Sequence, residues 1–357
     1  MTDLEYGKIL VTGATGFLGR HVVAALREAD VPREVVALVR DPEAPAALAL
    51  LEYGDEDGGV TLVRGDVLDA DSVEAAVGEG EGEGCSAVIH CAGMVSRDDA
   101  DALAMTEVNV EGVEVVLDAC RRAGVRRAVV ASTSGTIGIS TDSKAIADED
   151  TPTPLKIINR WPYYRSKYYG ELAALARNVE DFEVVIVNPA LLLGPGDLKG
   201  SSTGDVRQAL EQRMPVVPSG GYAFVDARDA AAGAVLALDN GQAGRRYLLV
   251  ACNCTVQTFF GRVARVADLE GPVFSLPDHK AVRRATRWLA RQAQELLGED
   301  EALPDVTSIE MSQHYWYVDS TRAENELGWR ARDPMVTLAD TVADLRERGV
   351  VMIRSPR

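Results

Sequence analysis

Tyr163 and Lys167 stand four residues apart in Pro162-Tyr163-Tyr164-Arg165-Ser166-Lys167, a spacing that puts both side chains on one face of a helix. A tyrosine titrates near 10 in water and keeps its proton at neutral pH. An ammonium one turn away favours the phenolate and makes the ring a usable acid or base. Upstream, a β-branched run leads into Ser132-Thr133-Ser134-Gly135-Thr136, where a hydroxyl can hold a substrate oxygen beside the tyrosine. The expected set is Tyr163 to handle the proton, Lys167 to assist it and Ser134 to hold the oxygen. Ser132, Thr133 and Thr136 compete with Ser134, and Tyr164 competes with Tyr163, although only Tyr163 has the lysine four residues on.

A second constellation lies at Thr12-Gly13-Ala14-Thr15-Gly16-Phe17-Leu18-Gly19. It follows a strand-like run and precedes a helix-like one, the context in which a glycine triplet cradles the pyrophosphate of a dinucleotide on a helix N-terminus. Gly13, Gly16 and Gly19 fit the tight turn, the close backbone approach and the helix packing. Thr15, Phe17 and Leu18 complete the loop. Arg40 ends the next strand, where an arginine suits the 2′-phosphate of NADP and an acid would suit the ribose of NAD. NADP(H) is therefore the expected cofactor, with NAD(H) the alternative. Asp66 and Val67 follow the third strand and reach toward the adenine. Cys91, Ala92 and Gly93 follow the fourth and bring small residues against the cofactor.

These residues need elements to hold them. Lys8 to Thr12, Glu34 to Val39, Val60 to Val63, Ala87 to His90, Arg127 to Ala131 and Glu183 to Val187 read as strands, alternating with helices at Phe17 to Ala29, Ser72 to Val77, Thr106 to Ala123 and Tyr163 to Ala176. Such alternation predicts an α/β fold of Rossmann type, a doubly wound parallel sheet that binds ligands at the carboxyl ends of its strands. After Pro189 the pattern loosens into a Gly/Pro turn at 194–196, a helix near Asp205 to Gln212, a strand near Ala223, a helix from Ala227 to Leu238 and a strand at Arg245 to Val250. The expected division is a dinucleotide domain over 1–188, rejoined by 227–250, and a smaller substrate lobe formed by 189–226 and 251–357. Two acidic glycine-rich pieces, Gly54 to Gly59 and Gly78 to Gly84, read as surface loops with local disorder.

The net charge of −18 over 357 residues excludes nucleic acid and anionic membrane as general partners, since both repel it. Five cysteines without CxxC spacing, two early acids and no apolar leader point to a reduced, cytoplasmic chain. No apolar run reaches membrane-spanning length, so no stable insertion is expected. Cys252 and Cys254 read as ordinary thiols, the four scattered histidines as structural, and no metal is expected. The helix pattern from Asp278 to Leu297 carries an arginine stripe that reads as a solvated face or a pocket lid.

With these residues in order, the chain resembles the extended short-chain dehydrogenase/reductase family over nearly its full length. The resemblance rests on TGATGFLG at Thr12 to Gly19, ALVRDP at Ala37 to Pro42, GDV at Gly65 to Val67, VIHCAG at Val88 to Gly93, NVEG at Asn109 to Gly112, STSGT at Ser132 to Thr136, YYRSK at Tyr163 to Lys167, NPALLLGPGD at Asn188 to Asp197 and FVDARD at Phe224 to Asp229. It looks closest to the dihydroflavonol 4-reductase-like branch, with similarity to 3β-hydroxysteroid dehydrogenases and to epimerase/dehydratase members. The resemblance implies that Tyr163 is the acid/base, with Lys167 and Ser134 beside it, that Pro189 and Leu192 face the nicotinamide, that Asn109 is structural, and that two sheet-flanking helices form a homodimer.

The expected activity is hydride exchange between NADP(H) and a hydrophobic small-molecule carbonyl or secondary alcohol. The expected substrate contacts are Met94, Ser96, Ser134, Thr136, Tyr163, Asn188, Tyr222 and Phe224, with Leu191 to Leu193 and the helix carrying Trp288 nearby. Mainly apolar walls with a few hydroxyls suit such a substrate. A nucleotide-sugar epimerase holding NAD is the alternative from another reaction class; its diphosphate would call on Arg228 and the stripe from Arg283 to Arg291. A non-catalytic dinucleotide sensor is the second alternative.

Overall fold

The computed structural model describes residues 7–54, 59–78, 84–211, 216–297 and 306–351. The acidic pieces expected as disordered loops fall largely at 55–58 and 79–83, outside the described residues. Twelve strands run in chain order: β1 (Ile9–Thr12), β2 (Val35–Val39), β3 (Val60–Arg64), β4 (Ala87–His90), β5 (Arg127–Ala131), β6 (Glu183–Pro189), β7 (Leu191–Leu193), β8 (Val216–Val217), β9 (Gly221–Asp226), β10 (Arg246–Leu249), β11 (Cys252–Thr255) and β12 (Phe274–Ser275).

Seven of them form one parallel sheet in the order β10-β6-β5-β4-β1-β2-β3. The strands are apolar on both faces because both are covered; every residue of β1, β2, β4 and β5 is buried. One face packs on helices Phe17–Arg27 and Ala227–Asn240, with Val22, Leu26, Ala231 and Leu238 against Val11, Ile89 and Val187. The other packs on helices Ala70–Gly78 and Gly112–Arg122, with Val73, Val116 and Leu117 against Leu10, Val88 and Ile186. Each fully buried Val, Leu or Ile contributes about 1.5–3 kcal/mol of transfer free energy, which sets the register firmly.

Strand order reverses between β1 and β4, so their carboxyl ends open a crevice between the Gly13 and Cys91 loops. Asn109 sits in a π-turn, Glu107–Glu111, inside the helical stretch from Ala102 to Arg122. That local widening is a common mark of functional sites. The second lobe has its own core, where Phe224, Phe259, Phe260, Val263, Leu338 and Val342 gather around the small sheet β11-β9-β7.

One expectation of domain division is corrected. The segment after β11 does not stay in the substrate lobe: Val318, Ala323, Leu327 and Trp329 return to the core beneath the large sheet, and the Trp329 indole donates to the Asp229 carbonyl at 2.8 Å. The physical cause is an apolar surface on helix Ala227–Asn240 that the sheet alone leaves uncovered.

Candidate active site

Gly13 adopts φ +66°, open to glycine at little cost, and a Cβ there would meet the Ala92 backbone at 2.5 Å. The glycine loop and the loop after β4 therefore touch at the switch point. Gly19 has the same necessity for another reason, since a Cβ would lie 2.1 Å from the Gly13 carbonyl. Gly16 occupies the N-cap of helix Phe17–Arg27, which has no side-chain cap and no acid in its first turn. That helix end presents N–H groups and a positive dipole to an anion. The residues fit a dinucleotide pyrophosphate, with Thr15, Phe17 and Leu18 around it.

Arg40 is exposed just past β2. Arg64 ends the neighbouring strand opposite Val39 and lies 3.4 Å from Asp41. Two guanidinium groups thus flank one strand-end corner; sequence reading missed Arg64, whose signal was its place at the end of an adjacent strand. Asp66 turns back on its own loop, accepting from the Leu68 N–H at 3.0 Å, with Val67 beside it. Gly93 keeps the approach to Lys167 open: a Cβ would stand 3.7 Å from Nζ. Asn109 clamps the same loop, accepting from the Met94 N–H at 2.8 Å and donating to the Met94 carbonyl and Ser166 hydroxyl at 2.9 Å each.

Helix Pro162–Leu175 starts on a proline at its first position and carries Tyr163 and Lys167 on the face toward β5. The Thr133 hydroxyl bears on the Tyr163 phenol, and it also caps the turn that follows, accepting from the Gly135 N–H at 3.3 Å. Ser134 is buried and enters a 3₁₀ turn over Ser134–Thr136, its carbonyl accepting from Ile137 and Gly138. Thr133 is the last extended residue before that turn, at φ −151°. Burial pushes Tyr163 up to about 12, opposed by the Thr133 hydrogen bond. Burial also brings Lys167 down to about 8, opposed by the charge of Glu171. Its Nζ donates to the Ala131 carbonyl at 2.7 Å. The lysine expected to lower the tyrosine is thus tied to β5, and the polypeptide alone holds the phenol protonated.

One turn beyond Lys167, Glu171 is 2 % exposed. Its carboxylate accepts from Ser132 at 2.5 Å, Thr136 at 2.7 Å and Asn188 at 2.7 Å, and pairs with Arg246 at 3.3 Å. Thr136 and Asn188, expected to touch substrate, are fully buried in this network instead. A lone helix glutamate reads as solvated; its available signal was the four-residue step from Lys167.

The walls near Tyr163 are aromatic. Its ring meets Tyr164 edge-on at 5.0 Å, and Tyr164 meets Trp316 at 5.0 Å and Trp161 at 5.9 Å. Gly135 admits the Tyr164 ring, since a Cβ would lie 2.2 Å from it. Sequence reading passed over Tyr164 as a wall and Trp316 altogether, although His314-Tyr315-Trp316-Tyr317 is a conspicuous aromatic run. Met94, Ser96, Leu191 and Leu192 are half-buried, and Pro189 closes β6 in the interior. Phe224 is corrected: it is fully buried in the second lobe's core. Tyr222 is half-buried with its hydroxyl donating to Asp205 at 2.9 Å. Trp288, at 62 % exposure, faces solvent. Two of the arginines that a diphosphate would call on are engaged elsewhere, Arg228 with Asp226 and Asp340 and Arg283 with Asp278; Arg284 is exposed, and the side chains of Arg287 and Arg291 lie outside the described residues.

Among the described residues no helix is long and apolar enough to cross a membrane, and no three metal-ligating side chains converge.

Residues 9–250 match the model of the NAD dependent epimerase/dehydratase family. A Synechocystis sp. protein provisionally named dihydroflavonol 4-reductase is 31 % identical over 347 residues, 96 % of this chain and 95 % of its own length. Sterol demethylase protein B of Methylococcus capsulatus is 32 % identical over 350 residues, 96 % of this chain and 99 % of its own. A double mutant of the dTDP-glucose 4,6-dehydratase DesIV from Streptomyces venezuelae, solved with NAD bound, superposes with a TM-score of 0.71 at 25 % identity, covering 96 % of this chain and 98 % of that one.

Proposed function

Since this chain belongs to the NAD dependent epimerase/dehydratase family, we propose that it is an NADP(H)-dependent oxidoreductase that interconverts a hydrophobic carbonyl compound and its secondary alcohol. The observation that carries the reading is the pair Tyr163 and Lys167 on one helix face at the carboxyl end of β5, where Lys167 Nζ meets the Ala131 carbonyl at 2.7 Å and the Tyr163 ring joins an aromatic wall. In this reading the Gly13–Leu18 loop holds the pyrophosphate, Arg40 and Arg64 hold the 2′-phosphate, and Gly93 leaves room for the nicotinamide. The nicotinamide, when bound, supplies or accepts the hydride.

The rest belongs to the chain's own side chains. In reduction Tyr163 gives its proton to the carbonyl oxygen while the Thr133 hydroxyl steadies that oxygen. Lys167 fixes the ribose and the site's charge. A phenol held protonated by burial suits the reductive direction, because the acid is loaded before the substrate arrives. In oxidation the positive charge of the oxidised cofactor favours the phenolate, which then takes the alcohol proton.

The relatives named for dihydroflavonol and sterol chemistry support an alicyclic or aromatic substrate. The nucleotide-sugar reading is favoured by the DesIV superposition, but two arginines that its diphosphate would call on, Arg228 and Arg283, are already paired with carboxylates. Thermal-shift titration of the NADP-loaded protein with steroid-like and flavonoid-like ketones, against UDP, TDP and GDP, separates the two. Stabilisation by the ketones, with NADPH turnover lost in Tyr163→Phe, is the expected result. Stabilisation by a nucleoside diphosphate alone, or retained turnover in Tyr163→Phe, overturns it.

A further inference from the structure

Cys252 and Cys254 flank one residue of an extended strand, so their side chains project from the same face of β11. β11 pairs antiparallel with β9, placing Cys254 opposite Tyr222 and Cys252 opposite Phe224. Cys254 is buried and Cys252 half-buried. From helix Val256–Ala267, Arg262 Nη1 donates to Cys252 Sγ at 3.0 Å.

We propose that Cys252 is a reactive modification site, a thiolate oxidised by small peroxides, with Cys254 as the thiol that resolves the product. A buried thiol in an apolar core acts as a small hydrophobe. Cys252 differs, because a guanidinium is committed to its sulfur, and among the described residues Arg262 has no carboxylate partner. Such electropositive, partly exposed surroundings are what make a cysteine nucleophilic. The neighbouring Cys254 thiol and then Arg262 hold Cys252 below the ordinary thiol range against burial, while Cys254 is raised. Burial pushes Cys85 and Cys91 up to about 12 and raises Cys120 as well. One of five cysteines is thus poised to react.

The chemistry closes in two steps. The Cys252 thiolate attacks one peroxide oxygen, the O–O bond breaks, and the sulfur, oxidised by two electrons, becomes a sulfenic acid as hydroxide leaves. Cys254 sulfur then attacks Cys252 sulfur, its proton joining the departing hydroxyl as water, and a disulfide remains. Two residues of extended strand span about 6.6–6.8 Å, the outer limit for a disulfide, so closure draws the strand in at Asn253. The Asn253 amide grips Val318, donating to its carbonyl at 2.8 Å and accepting from its N–H at 3.2 Å. The same segment carries Trp316 to the wall beside Tyr164. Oxidation at β11 thereby pulls on the substrate side of the molecule.

The test is hydrogen peroxide added in small excess to the reduced full-length protein at pH 7, with alkylation and peptide mapping. Expected is a Cys252–Cys254 disulfide that a dithiol reductant reverses, with Cys85, Cys91 and Cys120 recovered as free thiols. In Cys254→Ser, dimedone should label Cys252; in Arg262→Met, oxidation of Cys252 should slow about tenfold. The unchanged chain gives a check independent of variant folding: alkylation of Cys252 by iodoacetamide should level off below pH 7.5. A rate still climbing at pH 8.5, or oxidation falling first on another cysteine, overturns the proposal.

Discussion

Lys167 Nζ donates to the carbonyl of Ala131, the last residue of β5, at 2.7 Å, so the helix bearing Tyr163 is fastened to the strand that delivers Thr133. An ammonium in that place is a folding burden, because burial brings its pKa from 10.5 to about 8. The unfolded lysine stays charged up to about 10.5, so the folded state binds fewer protons between pH 8 and 10.5 and gains stability across that window as pH rises. Lys167→Met lacks this term. Relative to that variant, the unchanged chain should gain up to about 3 kcal/mol between pH 8 and 10.5, at 1.36 kcal/mol per unit. Urea denaturation of both proteins across the window measures it; a constant difference contradicts it.

Thr133 and Ser134 make opposite forecasts. Thr133→Val should lower kcat of ketone reduction about 100-fold or more, the usual loss for one oxygen-holding donor. Ser134→Ala should change it less than about threefold, a bound set by the usual size of a single side-chain hydrogen bond. Steady-state kinetics at saturating cofactor checks both, and the reverse ranking restores Ser134 to the role.

Arg40→Ala and Arg64→Ala should each raise KM for NADPH about tenfold or more and leave KM for NADH nearly unchanged, since a charge-assisted hydrogen bond contributes about 1.5–3 kcal/mol. Parallel titrations of the two cofactors decide. An equal loss for both would place the arginines away from the 2′-phosphate.

Glu171→Ala should destabilise the fold by about 3–5 kcal/mol, because Arg246 and three polar side chains lose a common acceptor in the interior. Adding Arg246→Met should return part of the loss. Equilibrium unfolding of the single and double variants measures the coupling, and simple additivity would show that the two do not act together.

The large sheet was legible because its strands are mostly β-branched or aliphatic runs, as in Ile9–Thr12 and Val35–Val39, and because the glycine loop joins such a run to a helix. The Tyr163–Lys167 step was legible because helical spacing alone fixes which side chains share a face. The choice between Thr133 and Ser134 was not, since consecutive residues leaving a strand point opposite ways and the sequence does not mark where the 3₁₀ turn begins. Thr136 and Asn188 were misplaced because their acceptor, Glu171, comes from a distant stretch of chain. Phe224 was misread for a related reason: the alternation of β9 tells that its residues face two sides, but not which side is the second lobe's core.

The return of Val318, Ala323, Leu327 and Trp329 beneath the large sheet has a consequence for biosynthesis. The stretch that seals that core and brings Trp316 to Tyr164 leaves the ribosome after all seven strands of the large sheet. A nascent chain can assemble the cofactor crevice early, yet it lacks both a sealed interior and a finished substrate wall until that stretch emerges. A chain that stops before this stretch therefore exposes the apolar flank of helix Ala227–Asn240 to quality control.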